Sequence, residues 1–432
     1  MIDSKPRAAN SPPFREKAIL AGLEQHGMSR WDLEDSLAEL KLLAATAGAQ
    51  VVETVVQKLE KPTAPYFIGK GKAEEIALQC RAANATSIIF DDELSPAQGR
   101  NLEEITACKV IDRTQLILDI FAQRARSREG RLQIELAQLQ YLLPRLTGMW
   151  THLSRQSGGI GTRGPGETQL EVDRRRVQDR IARLERDLRD VRRNRTVQRE
   201  GRLRHNWPVT ALVGYTNAGK SSLLNRLTGS DVLAADKLFA TLDPTTRQFV
   251  LPNRQKMLLT DTVGFIRKLP HTVIESFKAT LEEVALADLL IHVVDLSHPH
   301  FREQMAAVDA TIRELDAQGK QTMIVFNKTD AVAEPAIAQA ALDHHPGSVA
   351  ISARTGEGID TLIEELELRL GAWRMRVEFH VPVSESAALA ELHRVGHVLS
   401  VRYDGEMAIV TAHVPPELKT RLAAFEAAPA HA

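Results

Sequence analysis

Cysteine is scarce in this chain of 432 residues, and long apolar runs are absent. Only Cys80 and Cys108 are present, so a disulfide framework is excluded. The two thiols could pair, but their small number favours two reduced cysteines, as in cytosolic proteins. The N-terminus lacks the apolar core of a signal peptide, and no run reaches the roughly 18 apolar residues of a membrane helix. We therefore expect a cytoplasmic protein without a membrane span.

A net excess of charge of either sign is also absent. The chain has 55 basic and 56 acidic residues, so its total charge indicates no partner, and only local clusters can. Its 43% hydrophobic and 26% charged content is typical of soluble globular proteins. Because 432 residues exceed one ordinary hydrophobic core, we expect about two to four domains.

Alternating strand-like and helix-like runs characterise the N-terminal part of the chain. Residues 1–16 are rich in proline, serine and charge and are predicted to be disordered. The alternation over residues 17–125 predicts a small α/β domain with a largely parallel sheet. Its predicted elements include strands at 49–57, 86–92 and 108–113 and helices at 31–46, 72–84 and 95–106.

Residues 126–205 have a different pattern, in which apolar residues are spaced as on one face of a helix. The spacing is interrupted by a glycine-rich break at residues 157–166. The apolar positions before and after it are Leu132, Leu136, Leu139, Leu143 and Leu146, then Val177, Ile181, Leu184, Leu188 and Val191. Two amphipathic helices that flank a loop predict a helical hairpin with a glycine-rich tip.

The second predicted helix of this hairpin is rich in arginine. From Arg174 to Arg204 there are 13 arginines, no lysines and five acidic residues, an excess of eight positive charges (13 − 5). One interpretation is a solvated helix face with internal ion pairs. The other is contact with RNA, because arginine makes bidentate phosphate contacts and stacks on bases. The local charge favours RNA contact.

Two further regions complete the predicted architecture. Residues 206–372 begin with a strand, a glycine loop and a helix, after which strands and helices alternate. Residues 373–432 predict a small α+β module, with strands at 376–383 and 406–414 and two helical runs.

The strongest motif is GYTNAGKS, from Gly214 to Ser221, which fits the phosphate-loop pattern G-x-x-x-x-G-K-[ST]. Glycines let backbone N–H groups surround phosphates, Lys220 reaches β- and γ-phosphate oxygens, and the Ser221 hydroxyl meets Mg²⁺. A buried strand precedes the motif and a helix follows it, which is the context that this loop requires. The alternative, a simple strand–helix turn, does not need this combination of residues.

Two short motifs indicate guanine as the base. NKTD, Asn327–Asp330, follows the apolar strand TMIVF. A carboxylate at this strand end accepts hydrogen bonds from guanine N1–H and the N2 amine, whereas adenine presents the wrong pattern. Alone the tetrapeptide is a common polar turn, but its place about 110 residues after Lys220 favours GTP. SAR, Ser352–Arg354, would place backbone groups against the base.

Two more segments predict sensing of the γ-phosphate. In DTVG, Asp261–Gly264, the aspartate would lie near Mg²⁺ through a water, and the Gly264 N–H would reach the γ-phosphate. In FATLD, 239–243, Thr241 would give Mg²⁺ a second hydroxyl, although it could also be an ordinary loop threonine. Phe265 follows the turn where many Ras-like GTPases have a glutamine that orients the attacking water. Hydrolysis by this chain therefore needs another route.

Together these segments resemble the HflX family, ribosome-associated P-loop GTPases of the Obg–HflX group. The resemblance covers about residues 18–371 and rests on FIGKGK, GGIGTRGPGETQLE, GYTNAGKSSLLNRLTG, LFATLDPTTR, LTDTVGFIRKLP, NKTD and SAR. The expected fold class is α/β: a P-loop GTPase domain preceded by a small α/β domain and an αα-hairpin, and followed by a small α+β module. The resemblance implies Mg²⁺-dependent hydrolysis of GTP to GDP and phosphate. It also implies binding to the large ribosomal subunit and its RNA, and a role in splitting or rescuing stalled ribosomes or in their assembly, notably under stress.

Carried over by position, the resemblance implies the residues that contact the nucleotide. They are Gly214, Tyr215, Thr216, Asn217, Ala218, Gly219, Lys220, Ser221, Phe239, Ala240, Thr241, Leu242, Asp243, Asp261, Thr262, Val263, Gly264, Asn327, Lys328, Thr329, Asp330, Ser352, Ala353 and Arg354. Mg²⁺ falls on Ser221 and Thr241. The catalytic roles fall on Lys220, Thr241, Gly264 and Asn217.

Four further residues carry alternatives. Related GTPases with asparagine at the place of Asn217 resemble potassium-activated enzymes, in which K⁺ takes the place of an arginine finger. The alternative is a side chain that only satisfies loop backbone. Gly69 and Gly71 precede a helix, where a tight turn is favoured over a second nucleotide site. His292 lies inside an apolar strand and is expected to be a core residue.

Two functions are compatible with these features. The first is a GTP-hydrolysing switch that acts on the ribosome. The second is an NTP-dependent RNA-remodelling protein that works through its N-terminal and hairpin regions, with GTP hydrolysis incidental. A switch requires the GTP-bound form to act on ribosomal subunits, whereas a remodeller acts without it. In either case we expect a monomer.

Overall fold

The computed structural model describes residues 16–27, 30–146, 165–203, 207–229, 238–268, 283–371, 375–414 and 416–427. It divides into two compact units. Unit 1 comprises Met1–Leu188 and Arg267–Ser276, and unit 2 comprises Arg189–Ile266 and Phe277–Ala432. The N-terminal segment predicted to be disordered and most of the glycine-rich hairpin tip lie outside the described residues. No helix in the described ranges has the length and apolar character needed to cross a bilayer.

Unit 1 contains a four-stranded parallel sheet with the strand order β2-β1-β3-β4. Strands β1 and β3 are buried along their length, as in parallel sheets covered on both faces. The predicted small α/β domain is therefore present in this part of the chain. Its elements are β1 (Lys17–Glu24), α1 (Arg30–Ala47), β2 (Gln50–Lys58), α2 (Lys70–Ala83), β3 (Ser87–Phe90), α3 (Pro96–Thr106), β4 (Lys109–Asp112) and α4 (Arg113–Arg124).

Two more helices, α5 (Arg128–Leu142) and α6 (Pro165–Leu203), correspond to the predicted hairpin. Their apolar faces meet in one cluster, made of Leu132, Leu136, Leu139, Ile181, Leu184 and Leu188. The Arg180 guanidinium donates to both carboxylate oxygens of Glu135, at 2.7 and 2.9 Å. The predicted apolar spacing extends further than the helix. Helix α5 ends at Leu142, so Leu143 and Leu146 lie beyond it.

Unit 2 contains a six-stranded sheet with the order β10-β9-β8-β5-β7-β6, in which only β6 runs antiparallel to its neighbour. The central strands β5 and β8 are almost fully buried. Because they run parallel, the loops that follow them lie at the same carboxyl edge of the sheet. The elements are β5 (Val209–Gly214), α7 (Lys220–Thr228), β6 (Thr245–Val250), β7 (Lys256–Asp261), β8 (Leu289–Asp295), α8 (Phe301–Glu314), β9 (Gln321–Asn327), α9 (Pro335–His344), β10 (Val349–Ala350) and α10 (Ile359–Leu370).

The C-terminal module is a three-stranded antiparallel sheet with the order β11-β13-β12. Every second residue of β13 is buried, which makes one face of the sheet the module's core. The sequence reading missed β12, whose alternation is interrupted by a register shift between Val398 and Ser400. The elements are β11 (Met375–Pro382), α11 (Ser386–Val395), β12 (His397–Asp404), β13 (Met407–Val414) and α12 (Pro416–Arg421).

Candidate nucleotide-binding site

The loop after β5 has the shape that phosphate binding requires, and two glycines explain why. Gly214 has φ +152°, and a Cβ there would lie 2.2 Å from the carbonyl oxygen of Val293. Gly219 has φ +94°, and a Cβ there would lie 2.2 Å from Nδ2 of Asn327. No other residue type fits either position, because real atoms do not approach this closely. The loop is therefore fixed by close contact with the backbone of β8 and with the Asn327 side chain at the end of β9.

Lys220 opens helix α7 and is buried against the loop. Its Nζ donates to the carbonyl oxygens of Gly214, at 3.1 Å, and Tyr215, at 2.8 Å. Burial lowers the pKa of Lys220 to about 8, and the nearby Asp261 carboxylate opposes that shift. The amine thus lies where phosphate oxygens would replace the loop carbonyls as its partners.

Three oxygen-bearing side chains meet beside Lys220. The Ser221 hydroxyl donates to Oδ2 of Asp261 at 2.6 Å, and the Thr241 hydroxyl donates to the same oxygen at 2.8 Å. The two hydroxyl oxygens lie 2.8 Å apart. The other oxygen, Oδ1 of Asp261, is buried and has no hydrogen-bond partner among the described residues, and burial raises the pKa of this carboxyl. Hard oxygen donors around an unsatisfied buried carboxylate are the chemistry that Mg²⁺ prefers, so these residues fit the ion.

The turn after β7 is fastened directly to the phosphate loop. The Phe265 N–H donates to Gly214 O at 3.1 Å, and the Thr216 N–H donates to Phe265 O at 2.7 Å. The Phe265 side chain is 1% exposed and belongs to the core. A Cβ on Gly264 would lie 2.7 Å from the Cα of Thr216, so the turn requires glycine there. Phe265 therefore anchors the turn through its buried ring and its backbone hydrogen bonds. Sequence reasoning did not anticipate this role.

The loop that carries Thr241 is also held by its neighbours. The Phe239 N–H donates to the Thr216 hydroxyl at 3.1 Å. The side chains of Phe239 and Leu242 are buried, at 2% and 3% exposure. These apolar residues help to hold Thr241 beside Ser221 and Asp261.

The base-reading motifs come together at the ends of β9 and β10. Asn327 donates from Nδ2 to Ala218 O at 2.8 Å and accepts from the Ala353 N–H at 3.0 Å, so it ties the phosphate loop to the SAR segment. Asp330 accepts from the Ser352 hydroxyl at 2.6 Å, and its other oxygen lies 2.5 Å from Nη2 of Arg354. The carboxylate is thus fixed at the sheet edge.

One residue of this region was missed by the sequence analysis. Asp295, the last residue of β8, pairs with Nζ of Lys328 at 2.6 Å. Lys328 has φ +65°, a conformation that side-chain-bearing residues rarely adopt, and the ion pair holds it. The sequence signal for this residue is its place as an acidic residue at the end of an apolar strand. In the sheet, Asp295 lies opposite Asn327 of NKTD.

The assembled site is an open cleft of about 400 Å³. Ten of the 24 predicted contact residues line it, whereas those of NKTD and SAR are not part of this lining; the ten are Thr216, Asn217, Gly219, Lys220, Ser221, Phe239, Ala240, Thr241, Thr262 and Gly264. The side chains of Leu242 and Val263 lie in the core instead, so only their backbone could meet a ligand. Burial lowers the pKa of His292 to about 4 at 2% exposure, as expected of a core histidine.

A second feature is the group of arginines on helix α6. Arginines on the described part of α6 are exposed, namely Arg174, Arg175, Arg176, Arg180, Arg183, Arg186, Arg189 and Arg193. Two of them are paired, Arg176 with Asp173 and Arg180 with Glu135. The side chains of Arg192 and Arg195 lie outside the described set.

Comparisons with known proteins identify the family of the chain. Three family models match consecutive parts of the chain: "GTP-binding GTPase N-terminal" at 34–122, "GTP-binding GTPase Middle Region" at 124–202 and "50S ribosome-binding GTPase" at 209–328.

Curated relatives match most of the chain. GTPase HflX of Lacrimispora saccharolytica is 50% identical over 392 residues, which cover 91% of this chain and 92% of that protein. GTPase HflX of Escherichia coli is 46% identical over 366 residues, which cover 84% and 85%. The solved complex of SsGBP with GDP is 25% identical with a TM-score of 0.46, and the match covers 82% of this chain and 98% of that one.

Proposed function

The chain belongs to the HflX family of GTPases, and from that premise we propose that it is a GTP-driven switch that binds the large ribosomal subunit and splits or rescues stalled ribosomes or assists their assembly. The observation that carries the proposal is the meeting of Ser221, Thr241 and Asp261, which come from three separate segments. A GTPase switch uses such segments to surround the triphosphate and Mg²⁺.

In this proposal each residue of the site has its own role in binding the nucleotide or Mg²⁺. Mg²⁺, when bound, neutralises charge on the β- and γ-phosphates. Ser221 and Thr241 would hold it with their hydroxyls, and Asp261 would accept from one of its waters. Lys220 exchanges its loop carbonyl partners for phosphate oxygens, and the Gly264 N–H donates to the γ-phosphate. Asp330 reads the guanine edge, and Asn327 keeps the base-binding and phosphate-binding segments together.

The ribosomal role is tested by nucleotide state. Wild-type protein with a non-hydrolysable GTP analogue should co-sediment with large subunits and release them from intact ribosomes, whereas the GDP form should do neither. Thr241→Ala should keep GDP affinity but lose this difference, because its hydroxyl is needed only in the closed state. Thr246→Ala, which removes a hydroxyl from the next strand, is the matched control. Equal co-sedimentation with GDP and with the GTP analogue would contradict the proposal.

A second candidate, RNA remodelling with GTP hydrolysis incidental, is favoured by the exposed arginines of α6. It predicts subunit release without nucleotide. The same experiment therefore separates the two functions.

The arginine surface predicts a salt-dependent contact with ribosomal RNA. The double variant Arg183→Ala/Arg189→Ala should reduce the log–log salt slope of large-subunit binding by about 1.4–1.8, since each phosphate contact contributes about 0.7–0.9. GTP affinity should not change. Arg302→Ala/Arg313→Ala removes two exposed arginines from α8 and should leave the slope unaltered. An unchanged slope in the α6 variant would favour a merely solvated helix face.

The lowered pKa of Lys220 predicts a pH-dependent affinity for nucleotide. Below pH 8 the amine is protonated both free and bound, so affinity should be constant. Above pH 8 the free protein has lost the proton that phosphate binding requires, so affinity should fall by up to about tenfold per pH unit. Titrating GDP between pH 7 and pH 9 measures this. Lys220→Arg stays protonated, and its weaker binding should show no such slope; a flat profile for wild type would refute the assignment.

A further inference from the structure

Arg226 of unit 2 is not among the residues assigned to the nucleotide. It lies in the last turn of α7, the helix that begins at Lys220 of the phosphate loop. Six residues of helix rise by about 9 Å, which separates Arg226 from the phosphate-binding end of α7. The helix dipole alone favours a cation at this end of a helix. The contacts of Arg226, however, lead to another part of the site.

The guanidinium of Arg226 lies against the loop that follows β10. Its Nη2 donates to the carbonyl oxygen of Thr355 at 3.0 Å, although the two residues are 129 positions apart in the chain. Gly356 has φ +96°, and a Cβ there would overlap the guanidinium, 2.8 Å from its Cζ. The side chain of Arg226 therefore packs directly on the backbone of a glycine. Both segments belong to unit 2.

The loop that Arg226 contacts is closed on itself by short hydrogen bonds. The Gly356 N–H donates to Ser352 O at 2.8 Å, and the Ser352 N–H donates to Glu357 O at 2.9 Å. The Thr355 N–H donates to the Ser352 hydroxyl at 3.1 Å. Thr355 is thus held on both sides, by Arg226 at its carbonyl and by Ser352 at its N–H. A contact that fixes Thr355 also fixes the Ser352 hydroxyl.

The Ser352 hydroxyl in turn contacts the residue assigned to read guanine. Ser352 is fully buried, and its hydroxyl donates to Oδ1 of Asp330 at 2.6 Å. A hydroxyl has a single proton, and here its oxygen also accepts from the Thr355 N–H, which sets its direction. The ion pair of Asp330 with Arg354 involves a side chain that is 80% exposed, and such pairs contribute little. The buried hydrogen bond from Ser352 is therefore the one that orients Asp330.

These contacts form a continuous path from α7 to the base-reading carboxylate. The path runs from Arg226 to Thr355, from Thr355 to Ser352 and from Ser352 to Asp330. Asn327 holds the start of the same loop by a separate contact with the SAR segment. Arg226 holds the far end of the loop, so the two contacts are not redundant.

We propose that Arg226 is a positioning residue for guanine specificity. It holds Thr355 and Gly356 in place. The Ser352 hydroxyl is then fixed, and it orients the Asp330 carboxylate before the base binds. An acceptor that is already oriented discriminates better, because binding does not have to order it. This inference rests on the proposed GTPase function and on Asp330 as the residue that reads the base.

The test compares affinities for GDP and for inosine diphosphate, which lacks the N2 amine that Asp330 is assigned to bind. Arg226→Met keeps the length of the side chain but removes its donors. The ratio of GDP affinity to inosine diphosphate affinity should fall about three- to fivefold, as expected of energetically coupled neighbours. Arg226→Lys keeps an N–H donor and should stay within about twofold of the wild-type ratio. Loss of positive charge alone would weaken both nucleotides equally, because their phosphates are the same.

Two further variants establish the path. Ser352→Ala removes the hydroxyl that contacts Asp330 and should lower the ratio at least as much as Arg226→Met does. The double variant Arg226→Met/Ser352→Ala should show no larger change than Ser352→Ala alone, because Arg226 acts through that hydroxyl. Arg313→Met removes an exposed arginine from α8 and, as the matched control, should leave the ratio unchanged.

The outcomes separate this inference from the proposed function. An unchanged ratio in Arg226→Met would overturn the inference, and the base site would stand if Asp330→Asn still loses its preference for guanine. Additive losses in the double variant would also overturn it, since Arg226 would then act independently of Ser352. A wild-type protein without preference for GDP over inosine diphosphate would contradict base reading by Asp330, and with it both the proposed function and this inference.

Discussion

Asp330→Asn should lower GTP affinity by about 100-fold or more and shift the preferred base from guanine to xanthine. The Asp330 carboxylate is assigned two charged hydrogen bonds to the guanine edge, and each such bond contributes about 1.5–3 kcal/mol. Losing both corresponds to about 10²–10⁴ in affinity. An amide donates where the carboxylate only accepts, so it matches xanthine, which has a carbonyl in place of the guanine amine.

Competition between GTP and xanthosine triphosphate measures this change. Arg354→Ala is the matched control, because it removes the 2.5 Å ion pair to Asp330 and leaves the carboxylate in place. Its side chain is 80% exposed, and exposed pairs contribute little, so guanine preference should survive. If Asp330→Asn retains wild-type GTP affinity, another group reads the base.

The residues of the site differ in how far the sequence could predict them. The phosphate loop, NKTD and the DTVG turn depend on backbone shape over a few consecutive residues, so their motifs are local. The structure brings the phosphate loop and residues of the DTVG turn into one cleft, and Asn327 joins NKTD to the phosphate loop through the carbonyl oxygen of Ala218. The grouping of Ser221 with Thr241 and Asp261 also follows from the order of strands.

Other features depend on residues far apart in the chain. Lys268 meets Asp91 across 177 positions, and no local pattern announces that pair. The sequence shows only that Phe265 replaces a glutamine found in many Ras-like GTPases. The three-dimensional packing shows that its ring is buried in the core. Strand β12 was missed because its register shift disrupts the alternation on which strand prediction relies.

Because Phe265 stands where many Ras-like GTPases have a water-orienting glutamine, hydrolysis by this chain requires another group. A GTPase without a water-orienting side chain should be slow alone, and intrinsic Ras turnover is itself only about 10⁻⁴ s⁻¹. Because the ring lies in the core, Phe265→Leu should keep the turn packed and leave the basal rate within about threefold. Phe265→Ala would leave a cavity at a buried position and is a poor test, since such changes cost about 3–5 kcal/mol of stability.

A cation held by Asn217 would supply positive charge beside the phosphates. The geometry of Asn217 defines how to test this hypothesis. The residue lines the cleft and has φ +62°, a conformation that asparagine adopts more readily than most residues. Asparagine is therefore suited either to the loop conformation or to the binding of K⁺ through its carbonyl oxygen. A cation bound there would neutralise charge that develops between the β- and γ-phosphates.

We expect GTP hydrolysis to be about tenfold or more faster in K⁺ than in Na⁺ at equal ionic strength, and large ribosomal subunits to add about 10³-fold or more. Asn217→Gly keeps the left-handed backbone but removes the oxygen ligand, so it should lose the K⁺ advantage. Asn217→Asp keeps both and should retain it. If Asn217→Gly still prefers K⁺, the asparagine serves the loop conformation only. Equal rates in K⁺ and Na⁺, with and without large subunits, would exclude the cation and leave the ribosome to supply the whole acceleration by ordering the Thr241 loop and fixing the water.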